Sequence, residues 1–473
     1  MHIVAIGGSD AGISAALRAR ELDPHVDVSV VVADEFPNFS ICGIPYYLSG
    51  EIPRWQNLAH RSIQELMDTG MALRLETLVT EIDSGSHTLT LATKSGGSEQ
   101  LNYDALVIGT GAVPVLPPID GLRGPGALGP VDGVHLLHSM GDALAIMSTL
   151  EQNAPQRAVI VGAGYIGIEM AEALTSRGLE VTQVEQVPEV FPTIDPVLGV
   201  LVHQELEARG VEVRCATVVT AITAAPRESS ARLHVHARSE DGAVEIPADI
   251  VIIVVGVRPD SELAARAGVS TNERGAIVVD EYMRTNLPDV FAAGDCVTTY
   301  HRLLGNTYLP LGTTAHKQGR IAGENALGGS RAFAGILGTQ VVKVFDKVIA
   351  RTGIREKEAR DLGYDQLTID QEADDHKAYY PGSHRIAMRF TADRATRTLL
   401  GVQMFGHKDT AIAKRIDIAA TAIFHRMTVD ELSDLDLSYT PPLGSPWDAV
   451  QMGAQAWERS ARGARLGIGS DLG

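Results

Sequence analysis

Residues 157–167 read RAVIVGAGYIG and decide the fold of this chain. The apolar run at their start predicts a buried strand, and a helix is expected to follow over 168–177. Between the two, Gly162 permits a tight turn, Gly164 lets the backbone approach a pyrophosphate, and Gly167 lets the helix pack close to the strand. The helix N-terminus offers N–H groups to the phosphates. The stretch therefore predicts a dinucleotide-binding βαβ unit.

The strand that completes this unit, 180–184, is followed by the acidic residue Glu185. A carboxylate at this position can accept hydrogen bonds from ribose hydroxyls and would repel a 2′-phosphate. The next residues, Gln186 and Val187, supply no arginine to compensate. The sequence therefore predicts binding of NADH in preference to NADPH.

A second unit of this kind opens the chain, where residues 2–12 read HIVAIGGSDAG. Ser9 stands at the position of the second glycine, and it is small enough for a pyrophosphate to approach. Asp34, after the strand expected at 28–32, is the candidate ribose acceptor. The loop contributes the candidate nucleotide contacts Gly7, Ser9, Asp10, Ala11 and Gly12. Two such units predict an α/β protein with two Rossmann-like domains.

Cys42 stands just after the first unit, where residues 39–47 read FSICGIPYY. The position five residues later is Tyr47, so this segment has no CxxxxC pair. A lone cysteine here predicts redox chemistry through one sulfur, with a sulfenic acid or a mixed disulfide as the oxidised form. Cys215 and Cys296 are far apart in sequence and are expected to be structural, as is usual in a reducing cytoplasm.

The composition excludes several classes of partner. The net charge of −19 disfavours nucleic acids and anionic membranes, because both repel an acidic surface. The longest apolar run, 250–255, is too short to span a bilayer and predicts a buried parallel strand. The chain opens with a strand rather than a basic leader, so we expect no secretory signal and a cytoplasmic location. His234 and His236 alternate along a strand, which predicts a solvated sheet face, and no metal site is expected.

Several further segments carry a family resemblance. They are CGIPYY at 42–47, YDALVIGTGA at 103–112, VFAAGD at 290–295, KQGR at 317–320 and GTQVVKVF at 338–345. With the two glycine loops, they make the chain resemble the flavoprotein pyridine nucleotide–disulfide oxidoreductases. Within that superfamily it is most similar to the single-cysteine branch of coenzyme A-disulfide reductases, NADH oxidases and NADH peroxidases.

The resemblance implies a homodimer that binds FAD and NAD(P)H. The FAD site would take the first glycine loop together with Thr110, Gly111, Gly256, Gly294 and Asp295. The NADH site would take the second glycine loop together with Tyr165, Ile166, Glu169 and Glu185. Two tyrosines of the partner subunit would reach the substrate sulfur, where a phenol can donate a proton to a leaving thiolate. Tyr439 matches one of them, and Tyr380 is favoured over Tyr379 for the other.

The same resemblance implies the division of the chain into domains. From about Phe333 the pattern itself changes to an α+β domain, with strands expected at 339–345 and 385–390 and a helix at 414–425. The expected domains are an FAD-binding domain with its first part at 1–150, an NAD(P)H-binding domain at 151–255, a second FAD-binding part at 256–332, a dimerisation domain at 333–460 and a tail at 461–473.

Two departures from the family pattern bear on the substrate. Asp10 replaces a histidine of the oxidases and peroxidases, and a carboxylate there would disfavour a second anion such as a sulfenate, which makes reduction of peroxide or oxygen less favoured. Arg20-Glu21 replaces an Arg-Arg pair, which reverses one phosphate-binding charge and leaves room for a thiol other than coenzyme A.

The favoured interpretation is an FAD-dependent NAD(P)H oxidoreductase that reduces a small disulfide, persulfide or polysulfide through Cys42. Three alternatives remain open. They are an NADH oxidase or peroxidase that cycles Cys42 through sulfenic acid, a reductase of a small redox protein, and a non-catalytic flavoprotein that senses NADH.

Overall fold

The computed structural model of the protein describes residues 1–94, 96–226 and 228–466. It divides into two compact units. The first unit comprises residues 1–155, 252–300 and 306–335, and the second comprises residues 156–251, 301–305 and everything from 336 onward.

The elements of the first half of the chain are the following. Residues 1–155 form His2–Ile6 (β1), Asp10–Leu22 (α1), Asp27–Val31 (β2), Ile44–Ser49 (α2), Ile63–Asp68 (α3), Ala72–Arg74 (β3), Thr77–Asp83 (β4), Thr88–Thr93 (β5), Ser98–Asn102 (β6), Ala105–Ile108 (β7), Ala112–Pro114 (β8), Val134–Leu136 (β9) and Met140–Asn153 (α4). Residues 156–253 form Arg157–Val161 (β10), Tyr165–Ser176 (α5), Glu180–Val184 (β11), Pro196–Ala208 (α6), Glu212–Arg214 (β12), Val218–Ala224 (β13), Leu233–Ser239 (β14), Gly242–Ala248 (β15) and Ile250–Ile253 (β16).

The second half continues as follows. Residues 254–335 form Val257–Pro259 (β17), Glu262–Arg266 (α7), Val290–Ala292 (β18), Thr299–His301 (β19), Gly305–Thr307 (β20) and Gly312–Ala326 (α8). Residues 336–466 form Gln340–Val344 (β21), Lys347–Gly353 (β22), Glu356–Asp361 (α9), Gln366–Asp374 (β23), Arg385–Asp393 (β24), Leu399–His407 (β25), Ile412–Phe424 (α10), Val429–Ser433 (α11) and Ala449–Leu466 (α12).

The first unit is built on a five-stranded sheet with the order β18-β7-β1-β2-β3. All four strand pairs are parallel. The strand order reverses beside β1, so the loop that leaves its carboxyl end lies at the position where such sheets bind ligands. That loop holds the first glycine motif.

Two small residues let helices α1 and α8 pack closely in the first unit. A Cβ at Gly319 would overlap the backbone of Ala11, and one at Gly323 would overlap the backbone of Ala15. The two helix axes can approach because neither glycine carries a side chain. This close packing holds α8 against the helix that follows the first glycine loop.

The second unit contains the other parallel strands, with β10 beside β11 and β11 beside β12. Strands β13, β14 and β15 form an antiparallel sheet. The C-terminal part is a five-stranded antiparallel sheet in the order β21-β22-β25-β24-β23. Its core packs helices α10 and α12 around fully buried side chains such as Phe390 and Trp457.

The structure confirms the predicted α/β class with two Rossmann-like units and a C-terminal α+β region. The apolar run at 250–255 is a strand only as far as Ile253, and Val255 at the end of the run is 38% exposed. Helix α12 runs through Leu466 into the predicted tail, and residues 467–473 lie outside the described residues. Among the described residues, no helix is long and apolar enough to cross a membrane.

Candidate active site and cofactor sites

The first glycine loop follows β1 and leads directly into α1. Gly7 has a φ of +111° and donates its N–H to the carbonyl oxygen of Val31 at 2.9 Å. A Cβ at Gly12 would overlap the carbonyl oxygen of Gly7, so the helix can start this close to the strand only with glycine. Ser9 is the N-cap of α1 in an extended conformation. The loop therefore has the tight backbone that a pyrophosphate site requires.

The segment around Gly294 and Asp295 meets this loop within the first unit. A Cβ at Gly294 would lie 2.8 Å from the Cβ of Ala11. The N–H of Gly294 donates to the buried Oε1 of Gln318 at 3.0 Å, and the hydroxyl of Tyr308 donates to the carbonyl oxygen of Asp295 at 3.0 Å. Gln318 and Tyr308 support the predicted FAD site, and their roles were not predicted from sequence.

Asp295 carries an unusual carboxyl group. Burial, and then the nearby charge of Asp10, raise its pKa from 3.8 to about 6. A partly buried carboxylate of this kind is stabilised by groups that donate hydrogen bonds to it. The hydroxyls of a ribityl chain are such donors, so the residues present fit the cofactor that the sequence predicted.

The remaining predicted FAD contacts lie on loops of the first unit. The hydroxyl of Thr110 donates to the carbonyl oxygen of Asp260, and the N–H of Asp260 donates to that of Gly111 at 2.9 Å. Gly111 and Gly256 have φ values of +73° and +108°, and no other described heavy atom lies within 4 Å of a Cβ built on either. Asp34 is exposed after β2, where its Oδ1 accepts the N–H of Phe36 at 2.9 Å.

Asp10, at the start of α1, faces two histidines. Its Oδ1 lies 3.3 Å from Nε2 of His316, whose Nδ1 lies 2.9 Å from Oγ of Ser14. The ring of His60 is centred 6.0 Å from that of His316. Burial raises the pKa of Asp10, and the two histidines act in the opposite direction. The sequence argument considered only the carboxylate of Asp10, and the structure adds two imidazole neighbours. His60 comes from a distant loop, and no local pattern indicated it.

Cys42 lies in a single 3-10 turn between Ser40 and α2, and it is exposed. The segment before it is tied to its surroundings by backbone hydrogen bonds. The N–H of Asn38 donates to the carbonyl oxygen of Gly8 at 2.6 Å, and the N–H of His60 donates to that of Asn38 at 2.9 Å. The redox candidate is therefore an exposed cysteine on a segment bonded to the first glycine loop. The rings of Phe36 and Phe39, in this segment, pack against that of Trp55 in a later turn.

The other two cysteines differ from Cys42 in burial. Burial raises the pKa of Cys296 to about 11. Burial, followed by the charges of Glu189 and Glu185, raises the pKa of Cys215 to about 12. Both are therefore thiols at neutral pH, and a thiol is a poor nucleophile.

The second glycine loop repeats the geometry of the first. Gly162 has a φ of +107° and donates its N–H to the carbonyl oxygen of Val184 at 2.8 Å. A Cβ at Gly167 would overlap the carbonyl oxygen of Gly162, whereas no described heavy atom lies within 4 Å of a Cβ at Gly164. The open side at Gly164 is where a pyrophosphate could approach. Nε2 of Gln183 also donates to Gly162, a buried contact that the sequence did not indicate.

Glu185 is 7% exposed and is held by two backbone amides. Its Oε2 accepts the N–H of Ala163 at 2.7 Å, and its Oε1 accepts the N–H of Val187 at 3.1 Å. The carboxylate is thus fixed against the glycine loop, at the end of β11 where the sequence placed the ribose acceptor.

The predicted nicotinamide residues lie on α5, which follows this loop. Tyr165, Ile166 and Glu169 occupy its first two turns and are partly buried. The ring of Tyr165 packs against Phe191, with centroids 5.4 Å apart. The N–H of Phe191 donates to the carbonyl oxygen of Ala163 at 2.8 Å, which ties this ring to the glycine loop.

The candidate substrate tyrosines lie on two exposed segments of the second unit. Tyr439 is 45% exposed, and Tyr379, rather than Tyr380, is the tyrosine that interacts with it. The pKa of Tyr439 is raised by desolvation and then by Tyr379. Tyr380 instead packs its ring against His376, with centroids 5.9 Å apart. Tyr379 is therefore a candidate beside the favoured Tyr380.

Comparisons with known proteins agree over nearly the whole chain. The pyridine nucleotide-disulphide oxidoreductase family matches residues 1–319, and the dimerisation domain of that family matches residues 339–449.

The names of individual relatives give different activities. The NAD(P)H sulfur oxidoreductase (CoA-dependent) of Pyrococcus abyssi is 34% identical over 95% of this chain and 96% of its own. An NADH oxidase of Methanocaldococcus jannaschii is 31% identical over 96% of this chain and 98% of its own. The solved structure of an NAD-dependent persulfide reductase from A. fulgidus is 36% identical, with a TM-score of 0.90 over 100% of this chain and 85% of that one. This protein therefore belongs to the pyridine nucleotide-disulphide oxidoreductase family, and it is an enzyme of that family.

Proposed function

We propose that this enzyme uses NADH and FAD to reduce a small disulfide, persulfide or polysulfide through Cys42. The observation that carries the proposal is the position of Cys42, an exposed residue on a segment bonded to the first glycine loop. The Pyrococcus abyssi and A. fulgidus relatives, which act on sulfur and on persulfides by their names, support the same class of substrate.

The proposed reaction requires one sulfur of the protein. The thiolate of Cys42 attacks a substrate disulfide, forms a mixed disulfide and releases the first thiolate. Bound FAD would accept a hydride from NADH and supply the electron pair that breaks the mixed disulfide. The second thiolate then leaves and Cys42 returns to its thiolate form, so one NADH is oxidised for each disulfide reduced.

The contacts of Arg20 and Glu21 bear on the identity of the thiol. Nε and Nη1 of Arg20 donate to the carbonyl oxygens of Thr69 and Val26, at 2.7 and 2.8 Å. Glu21 forms ion pairs with two arginines, Arg18 and Arg320. Because Arg20 is bound to backbone and Glu21 is acidic, this part of α1 offers little to a phosphate of coenzyme A. We therefore propose the substrate class by its sulfur chemistry rather than as coenzyme A itself.

We further propose NADH as the preferred cofactor and a homodimer as the working form. The fixed carboxylate of Glu185 favours ribose hydroxyls over a 2′-phosphate. The match to a dimerisation domain supports the homodimer. In such a dimer, Tyr439 and Tyr380 would serve the Cys42 of the partner subunit as proton donors to the leaving thiolate.

An NADH oxidase is the second candidate, and a specific observation favours it. Asp10 lies beside His60 and His316, so two imidazoles stand next to the carboxylate on which the sequence argument rested. The relative from Methanocaldococcus jannaschii is named an NADH oxidase. In this candidate, Cys42 would cycle through a sulfenic acid formed by oxygen or peroxide.

The variant Cys42→Ser tests the proposal. We expect NADH-dependent reduction of coenzyme A disulfide, glutathione persulfide and inorganic polysulfide to fall at least about a thousandfold, as on loss of other catalytic nucleophiles. Reduction of a quinone that takes electrons directly from the flavin serves as the internal control and should be retained. Full disulfide and persulfide turnover in the variant would refute the proposal. NADH-dependent oxygen consumption that exceeds every sulfur activity, and is lost in the variant, would favour the oxidase.

A further inference from the structure

Three side chains of different chemistry meet in the second unit, and all three come from segments that follow the second glycine loop in the sequence. Glu189 lies in the loop after β11, His203 on α6, and Cys215 directly after β12. Nδ1 of His203 lies 2.9 Å from Oε1 of Glu189, and Sγ of Cys215 lies 3.9 Å from the same oxygen. The three ligand atoms all lie within 4.8 Å of one another, and the three residues are partly buried.

These distances suit a tetrahedral metal ion. Zinc binds nitrogen at about 2.0–2.1 Å, carboxylate oxygen at about 2.0–2.2 Å and sulfur at about 2.3 Å, so the edges of a zinc tetrahedron with one sulfur are about 3.3–3.7 Å long. The measured separations lie on both sides of that range, and small side-chain rotations would bring all three atoms to it. A thiolate and an imidazole are ligands that zinc accepts and that magnesium and calcium avoid.

The surroundings hold the three side chains in place. Nε2 of His203 lies 3.6 Å from a carboxylate oxygen of Glu207, so the second ring nitrogen faces the kind of group to which a metal-bound histidine typically donates. The N–H of Val190 donates to Oε1 of Glu189 at 2.8 Å. The chain at Cys215 is joined to the Glu189 loop, because the N–H of Ala216 donates to the carbonyl oxygen of Val187 at 2.9 Å.

We propose that Glu189, His203 and Cys215 form a binding site for Zn²⁺. Without metal Cys215 is a thiol, and binding of the ion would release its proton to solvent. The resulting thiolate and the carboxylate supply two negative charges, which balance the two positive charges of the ion. Three protein ligands leave the fourth position to water, as in zinc sites that keep one position open. The ion would join α6 and β12 to the loop that begins at Glu185. It would therefore regulate or stabilise the second unit without taking part in the chemistry of Cys42.

Cobalt(II) provides the test, because it replaces zinc and its thiolate complexes absorb in the red, where oxidised flavin is transparent. The FAD-loaded Cys42→Ser enzyme is used, so that the exposed sulfur cannot bind the metal. After removal of metals with EDTA, we expect one equivalent of Co²⁺ to produce tetrahedral thiolate bands that Zn²⁺ abolishes. Both Cys215→Ser and His203→Gln should lose the bands, and Glu207→Gln should weaken binding about tenfold.

The matched control is His236→Gln, which removes a histidine paired with Glu245 on a separate sheet. It should leave the bands unchanged. Flavin content and the melting temperature show whether each variant is folded. If Cys215→Ser does not fold, Glu189→Gln, the third ligand substitution, replaces it and should also weaken metal binding. The proposal would be overturned if the Cys42→Ser enzyme with all three ligands intact shows no thiolate bands. It would also be overturned if the bands survive in folded Cys215→Ser and His203→Gln variants.

Discussion

Replacement of Asp295 by asparagine should stabilise the FAD-free protein and lower its affinity for FAD. Asp295 is partly buried, and its pKa of about 6 shows that the surroundings penalise the ionised form. The hydroxyl of Tyr308 donates to its backbone carbonyl rather than to its carboxylate, so this contact does not depend on the charge. Asparagine has the same shape and keeps an oxygen acceptor, but it never carries the charge.

The magnitude follows from the pKa. A rise from 3.8 to about 6 corresponds to about 3 kcal/mol at 1.36 kcal/mol per pKa unit. Below pH 3.8 the group is protonated in both folded and unfolded chains, so it adds no penalty. Between about pH 4 and 6 the unfolded chain loses the proton first, and the stability of the folded chain falls as pH rises. Above about pH 6 the full penalty applies.

Thermal unfolding of FAD-free protein, followed from pH 4 to 8, measures this effect. Variant and parent should have the same melting temperature near pH 4. At pH 8 the melting temperature of the variant should be higher by about 6–12 °C for a unit of this size. FAD should bind the variant about 10- to 100-fold more weakly, because hydrogen bonds to a charged group contribute about 1.5–3 kcal/mol. Asp10→Asn should lower the pKa of Asp295 and so reduce the difference in melting temperature that Asp295→Asn causes. A difference in melting temperature that stays constant from pH 4 to 8 would refute the reasoning.

Three other variants test separate parts of the account. Gly319→Ala forces a Cβ against the backbone of Ala11, so thermal unfolding should show the first unit destabilised by about 1–3 kcal/mol. The control Gly141→Ala should not destabilise it, because the nearest atom to a Cβ there is an ordinary 3.6 Å away. Glu185→Gln removes the charge that opposes a 2′-phosphate, so the ratio of kcat/KM for NADH to that for NADPH should fall about tenfold, and an unchanged ratio would contradict the assigned role. Tyr439→Phe should slow disulfide reduction at least about a hundredfold while flavin reduction by NADH keeps its rate, and equal losses in both steps would contradict a role as proton donor.

Much of the fold was predictable because it is encoded locally. The spacing of Gly162, Gly164 and Gly167 predicts the turn, and the structure shows the positive φ of Gly162 and the overlap that a Cβ at Gly167 would cause. The strand before this loop was also predicted, because buried parallel strands are continuously apolar. Val255 shows the limit of such reasoning, since an apolar residue at the end of a run can lie outside the strand.

The composition of the sites could be predicted only in part. Asp10 was recognised from its place in the glycine loop, but the approach of His60 depends on a loop fifty residues later, which no periodicity describes. The same holds for Cys215, which looked structural in isolation. Its proximity to Glu189 and His203 arises from the packing of three separate elements. Contacts between distant segments are set by tertiary packing, and a single sequence does not display them.

The central claim is that Cys42 stores one electron pair beside the flavin. The enzyme is first oxidised with a small disulfide and freed of excess reagent. It is then titrated with NADH under anaerobic conditions, and the Cys42→Ser variant is titrated in parallel. We expect the parent to consume one NADH equivalent before the flavin bleaches, with a long-wavelength thiolate-to-flavin band, and the variant to bleach from the first addition without that band. Identical titrations of the two proteins, each bleaching at once, would contradict the account.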